Sequence, residues 1–166
     1  MHEPDIQDDS EDENGSNYAQ LASRPGFLIR RLHQIHVALF LEECREFGIT
    51  PVQYSMLTAL HEGALDQTGL ANRVGMDLAT TTHVLKRIEA RGWITRTRNA
   101  DDRRQRIVQL TDTGTTLLQD IDRFARRAHE RTVAHLGAED RARFTDYLIR
   151  LVEANNRYSR APIKLS

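Results

Sequence analysis

Eight basic side chains stand between Lys86 and Arg106, namely Lys86, Arg87, Arg91, Arg96, Arg98, Arg103, Arg104 and Arg106, against three acids, Glu89, Asp101 and Asp102. A local surplus of this kind suits contact with phosphate, because each cation that neutralises a phosphate releases a condensed counterion. Just upstream, Thr80, Thr82, His83, Lys86 and Arg87 share one side of a helical spacing, opposite an apolar side. Threonine can hydrogen-bond a base or a phosphate and its methyl can touch thymine; histidine can donate to a purine acceptor, and lysine or arginine can neutralise backbone charge. These types in this order point to duplex DNA. Asp102 and Arg104 add a finer feature: a carboxylate two residues away can hold a guanidinium in one orientation and limit the rotamer freedom lost on binding. Asp102 is expected to position Arg104, and Arg104 to enter a groove, with Arg98, Arg103 and Arg106 completing the DNA-contacting set. A plain turn-forming role for Asp101 and Asp102 is the alternative.

Other chemistries find little support. The seven histidines are scattered, and there is no HExxH, no GxSxG and no phosphate-cradling glycine loop, so neither an enzyme nor a cofactor is expected. His33 and His36 stand one helical turn apart, yet two imidazoles without a third ligand make a weak metal site. Cys44 is the sole cysteine and cannot form an internal disulfide; the neighbouring Glu42, Glu43 and Glu46 disfavour its thiolate, which weakens a redox-sensing alternative. A reducing, cytoplasmic compartment is expected, with no export signal. No apolar run approaches the roughly 18 residues that a membrane span needs. The formal net charge of -1 conceals an asymmetry, because residues 1–16 hold seven acids and no Lys or Arg. Without them the body from Asn17 onward carries about +6. Residues 1–16 are expected to be a disordered acidic tail.

The elements that must carry the basic cluster follow from periodicity. Leu28, Leu32, Ile35 and Leu39 form a helical stripe from Pro25 to Glu46, widened by Phe27, His36 and Phe40 beyond what one small core requires. Thr50-Pro51 supplies a cap and a first-turn proline to a helix carrying Val52, Met56, Leu57 and Leu60. A short helix from Asp66 to Val74 buries Leu70, Ala71 and Val74; Gly75 makes the turn, and Asp77 caps a helix over 78–90 with Thr81, Val84, Leu85 and Ile88 inward. Then the period changes. Residues 93–98 and 105–110 are short and β-branched around a turn, which predicts a two-stranded hairpin. Thr111-Asp112 opens a long helix with Leu117, Ile121, Phe124 and Ala128 inward, and Glu139 and Asp140 open a last one bearing Phe144, Leu148, Leu151 and Asn155. The fold class is mainly α with a small β-hairpin wing, a winged helix-turn-helix joined to a helical dimerisation region.

The chain from about Pro25 to Tyr158 resembles the MarR family of bacterial transcriptional regulators. The resemblance rests on Asp102-Arg103-Arg104 followed by Ile107-Val108-Gln109-Leu110-Thr111-Asp112-Thr113-Gly114, similar to the family's D-x-R and v-x-L-T-x-x-G. Residues 87–94, Arg-Ile-Glu-Ala-Arg-Gly-Trp-Ile, and 49–54, Ile-Thr-Pro-Val-Gln-Tyr, match two further family patterns, with Trp93 larger than the usual aliphatic. The resemblance implies a homodimer joined by residues 17–48 and 112–166, with 49–111 as the DNA-binding domain and Arg104 in the minor groove. An isologous dimer sets the recognition helices about one DNA turn apart, so a palindromic operator is expected. The resemblance also implies a repressor that is released from DNA by a small phenolic compound, an aromatic carboxylate or its CoA thioester. The implied cleft would be lined by Arg30, Arg31, His33 and His36 from the first helix and by Tyr54 and His61 from the next. Redox or metal sensing on the same fold, or a protein-interaction module that does not bind DNA, are the alternatives.

Overall fold

The computed structural model describes residues 17–99, 105–159 and 161–163. After a helical lead-in over 17–22, proline sets the first turn of two successive helices, α1 (Pro25–Glu43) and α2 (Pro51–His61). Behind Pro51, the Thr50 hydroxyl accepts from the Gln53 N–H at 3.3 Å while Gln53 Oε1 accepts from the Thr50 N–H at 3.0 Å. That reciprocal pair satisfies two donors a helix start otherwise orphans. There follow β1 (Leu65–Asp66), α3 (Gln67–Val74), α4 (Leu78–Ala90), β2 (Ile94–Arg98), β3 (Arg106–Leu110), α5 (Asp112–Thr132) and α6 (Ala138–Asn155). Asp66, Asp77 and Thr111 cap α3, α4 and α5 by accepting from the N–H groups of Gly69, Thr80 and Gly114 at 2.7, 2.8 and 3.1 Å. Each such cap contributes about 1 kcal/mol.

Two expectations need correction. The wing is part of a three-stranded antiparallel sheet in the order β1-β3-β2, with Leu65 opposite Val108 and Asp66 opposite Ile107. A two-residue strand has no periodicity to read; it exists because the α2–α3 connection lies along β3. The first helix ends at Glu43 rather than Glu46: Cys44 turns fully into the core, and a tight turn over Arg45–Phe47 sets the Phe47 ring 5.3 Å from that of Phe124.

The core lies where α2, α4, the sheet and α5 converge, around Met56, Leu57, Leu70, Leu85, Ile88, Val108 and Ile121, none of them more than 1% exposed. On α5 the inward positions include Leu118 and Ala125, while Leu117 and Phe124 pack at the core edge. Arg131 of α5 ties α1 down by donating to Glu43 at 2.6 Å and Glu42 at 3.1 Å. The stripe on α1 is only partly covered, since Leu28 and Ile35 remain 50% and 47% exposed. Helix α6 goes further. It buries none of its own residues, and Tyr147, Leu148, Leu151 and Val152 stand 40–55% exposed.

Past α6 and a single turn over Asn156–Tyr158, the chain folds back against the helix-turn-helix. Ile163 donates its N–H to Asn156 Oδ1 at 2.9 Å, and the Asn156 amide donates to the Ile163 carbonyl. Ile163 Cγ2 then lies 3.0 Å from where a Cβ on Gly75 would stand. Gly75, at φ +67°, forms the turn between α3 and α4, a conformation that glycine adopts without a steric cost. Among the described residues, no helix is long and apolar enough to cross a membrane.

Candidate nucleic-acid interface

Alternation along the hairpin explains how its arginines come to share a face. In β2 the inward series runs Ile94, Arg96, Arg98; opposite them in β3 stand Leu110, Val108 and Arg106. At the base this face belongs to the core, with Ile94 and Val108 buried. Toward the tip the core ends and the same face becomes cationic. Arg96 is still largely covered and donates through Nε to Glu89 of α4 at 2.9 Å, bracing the wing against that helix. Hydrogen bonding to Arg96, reinforced by the charges of Arg96 and Arg106, holds the Glu89 carboxyl below the usual range. Arg98 and Arg106 are directly paired in register and both are exposed. Like charges directly opposite on a ladder are destabilising, and the Glu89 carboxylate offsets part of that through Arg106.

Helix α4 presents its outer side beside this ribbon. His83, Lys86 and Arg87 are exposed; Thr80 is exposed and Thr82 half-buried. The Thr80 hydroxyl donates to Asp77 Oδ2 at 2.8 Å, and the two bonds from Thr80 hold the Asp77 carboxyl below its ordinary value. The Thr82 hydroxyl donates to the Leu78 carbonyl at 2.7 Å and accepts from the side-chain amide of Gln67 at the start of α3. Thr81 points inward, fully buried. Asp102, Arg103 and Arg104 lie outside the described residues. Trp93, at the base of the wing, is 6% exposed and lies under the Arg91 guanidinium, 4.0 Å from the ring centroid. The same guanidinium donates to the carbonyls of Gly48 at 2.6 Å and Phe47 at 3.1 Å, which joins the wing to the end of α1.

A second feature is a cleft of about 880 Å³ between α1, α5 and α6. Leu28, Leu32, Ile35, Val133, Phe144 and Leu148 supply apolar wall; Arg31, His33, His36, His129 and Arg141 supply cations and imidazoles, and Glu130 a carboxylate. Thr132 directs its hydroxyl hydrogen to the Ala128 carbonyl at 2.8 Å, so its oxygen accepts from Nδ1 of His36 at 2.9 Å. His129 stacks on His36 with ring centroids 4.8 Å apart. Burial, with the charges of His129 and His33 adding to it, pushes the His36 imidazole below its ordinary value. Arg141 is held by the carbonyls of Leu136 at 2.8 Å and Ala134 at 3.2 Å.

The MarR family model matches residues 49–105, the stretch from the α2 cap to the foot of β3. The HTH-type transcriptional repressor NicR of Pseudomonas putida is 29% identical over 131 residues, covering 78% of this chain and 83% of NicR. A structure of Bordetella bronchiseptica BpsR, concerned with regulation of its DNA binding by 6-hydroxynicotinic acid, superposes with a TM-score of 0.74 at 29% identity, over 80% of this chain and 94% of BpsR. The PcaV transcriptional regulator of Streptomyces coelicolor, in complex with its natural ligand, superposes with a TM-score of 0.72 at 34% identity, over 81% of this chain and 95% of PcaV. The chain belongs to the MarR family. It is a transcriptional regulator with a winged helix-turn-helix DNA-binding fold.

Within this MarR-family regulator the six residues expected to line a single cleft separate. Arg31, His33 and His36 face the cleft between α1, α5 and α6. Arg30, one position before Arg31 and therefore about 100° around the helix, stacks over Phe27 at 5.3 Å. Tyr54 packs its ring 5.5 Å from Phe40 and borders a shallow hollow with Thr58, Glu62 and Arg73. His61 sits in the last turn of α2 and lines neither. The second wall of the cleft comes from α5 and α6, not from the helix after Thr50. Sequence reasoning missed His129, Arg141 and Gln67. Only Gln67 left a local sign, following directly on the Asp66 cap.

Proposed function

We propose that this regulator is a homodimeric repressor that acts in the cytoplasm, binds a palindromic operator, and releases it when an anionic aromatic compound enters the α1–α5–α6 cleft. The observation that carries the reading is the composition of that cleft: an apolar wall bordered by Arg31, His33, His36, His129 and Arg141, against one carboxylate, Glu130. An aromatic body suits the wall and a carboxylate suits that border. The name of one relative supports the same class, since 6-hydroxynicotinic acid regulates DNA binding by BpsR, and PcaV, solved with its natural ligand, supports a bound effector of some kind. Apolar side chains left open outside that cleft, Leu41 on α1 and Tyr147, Leu151 and Val152 on α6, support pairing, with residues 17–48 and 112–166 forming the dimer region and 49–111 the DNA-binding domain. Thr80, Thr82, His83, Lys86 and Arg87 face the major groove, and Arg98, Asp102, Arg103, Arg104 and Arg106 the backbone and minor groove.

Redox sensing is not favoured. Cys44 is fully buried, and burial together with Glu43 pushes its thiol up to about 11. Metal sensing gains nothing either, as no group of three His, Cys, Asp or Glu residues able to hold an ion occurs among the described residues. The test is a fluorescence-anisotropy titration of duplex promoter fragments with the full chain. Binding weakens steeply with salt while one sequence stays preferred, and Arg104→Ala costs roughly 1–3 kcal/mol without lowering thermal stability. Hydroxylated aromatic acids and their CoA thioesters displace the wild type. Unchanged affinity for Arg104→Ala refutes the wing's role, and no displacement by any acid refutes the effector class.

A further inference from the structure

The outward stripe of α4 runs Leu78, Ala79, Thr82, His83, Lys86, the i, i+1, i+4, i+5, i+8 set of one helical face. Its first two turns have lost most of the polar character their sequence advertises. A threonine hydroxyl has one hydrogen to give, and in Thr82 that hydrogen goes to the Leu78 carbonyl at 2.7 Å. The oxygen is then an acceptor, and the Gln67 side-chain amide occupies it. What Thr82 retains for a ligand is one acceptor lone pair and its methyl group. Thr80 likewise spends its hydrogen on Asp77 at 2.8 Å. Beside them, Leu78 stands 50% exposed and Ala79 is exposed. The start of the reading helix is therefore a small patch of carbon, and the polar readers begin only at His83.

In the major groove the one apolar group on a base edge is the C5-methyl of thymine. We propose that Leu78, Ala79 and Thr82 specify thymine in each half-site by contact with its methyl, and that Gln67 is a positioning residue that holds Thr82 in the methyl-presenting arrangement. The inference rests on the proposed seating of α4 in an operator's major groove. It assigns to these residues no hydrogen bond to a base.

The test uses the full chain and a promoter fragment that it protects in footprinting, with each protected thymine replaced in turn by deoxyuridine, which removes the methyl and leaves every hydrogen-bonding group in place. At one or more positions per half-site, affinity falls roughly fourfold per methyl lost, as for burial of one methylene-sized group. Thr82→Val, which keeps shape and methyl but loses the bond from Gln67, still prefers thymine over uracil at its position, with a ratio reduced no further than in Gln67→Ala. Thr82→Ser, which keeps the hydroxyl and loses the methyl, binds it more weakly and no longer distinguishes thymine from uracil at its position. Gln67→Ala lowers that thymine-over-uracil ratio while its melting temperature stays at the wild-type value. Deoxyuridine tolerated at every position, or a thymine-over-uracil preference lost as fully in Thr82→Val as in Thr82→Ser at unchanged stability, overturns the methyl reading and leaves DNA binding standing. Failure of the wild type to protect any duplex overturns both.

Discussion

Substituting Gly114 by alanine puts a methyl group into the backbone of the wing. A Cβ built there lies 2.1 Å from the Trp93 carbonyl oxygen, 3.0 Å from its carbonyl carbon and 3.1 Å from Leu110 Cδ2. The first distance is far inside contact, and the obstructing atom is not free to yield. The Trp93 carbonyl accepts from the Thr111 N–H at 3.1 Å, and the Thr111 hydroxyl donates to the Gly92 carbonyl at 2.6 Å while accepting from the Gly114 N–H at 3.1 Å. Relief therefore means moving the start of α5 off the wing and losing its cap. Overpacking with backbone displacement costs up to about 3 kcal/mol and a lost cap about 1 more, whereas alanine regains about 1 from helix propensity. The expected net loss is about 3 kcal/mol, or a fall in melting temperature of roughly 6–12 °C for a chain of this size. Gly26→Ala is the matched control, since Gly26 lies in the first turn of α1 with nothing within 4 Å of its Cβ. It should be neutral or stabilising by up to about 1 kcal/mol. Urea unfolding followed by far-ultraviolet circular dichroism, at one protein concentration throughout, measures both. A midpoint for Gly114→Ala equal to that of the wild type, or an equal loss in Gly26→Ala, refutes the reasoning.

Two further outcomes follow from titration. Because the folded state holds His36 below its ordinary pKa, its contribution is present above the unfolded value near 6.5 and is lost as pH falls through the folded value; stability should drop between about pH 7.5 and about pH 5 more steeply in the wild type than in His36→Gln, and equal slopes in urea midpoints across that range would count against it. Cys44, buried with its thiol raised to about 11, should react with iodoacetamide near neutral pH only after unfolding, and labelling of the native chain as fast as of the denatured chain would contradict its burial.

What could be read in the sequence was local. Thr50-Pro51, Asp77 and Thr111 announced their helices because a cap acts through its own side chain on the next turn, and the structure places each at the expected start. The hairpin was legible through β-branched alternation; β1 was not, because its two residues become a strand only by lying against Val108 and Ile107, more than forty positions away. The candidate site divides in the same manner. His83, Lys86 and Arg87 could be placed outward from helical period alone. The cleft's far wall could not, since His129 and Arg141 meet α1 only through the packing of α5 and the direction α6 takes after Gly137. Arg91 shows the limit most plainly: its partners, the Phe47 and Gly48 carbonyls, are some forty residues upstream, and no pattern around Arg91 points to them.

The return of the chain onto Gly75 gives the molecule a closed linkage. Asn156 fastens the chain at Ile163 by two bonds, and Ile163 wedges against the bend that fixes the angle between α3 and α4. A tilt of α6 then has two outlets: it drags that bend along, or it springs the Asn156 clasp. The helix offering the largest bare surface and the elbow of the reading head thus share a lever only a few residues long.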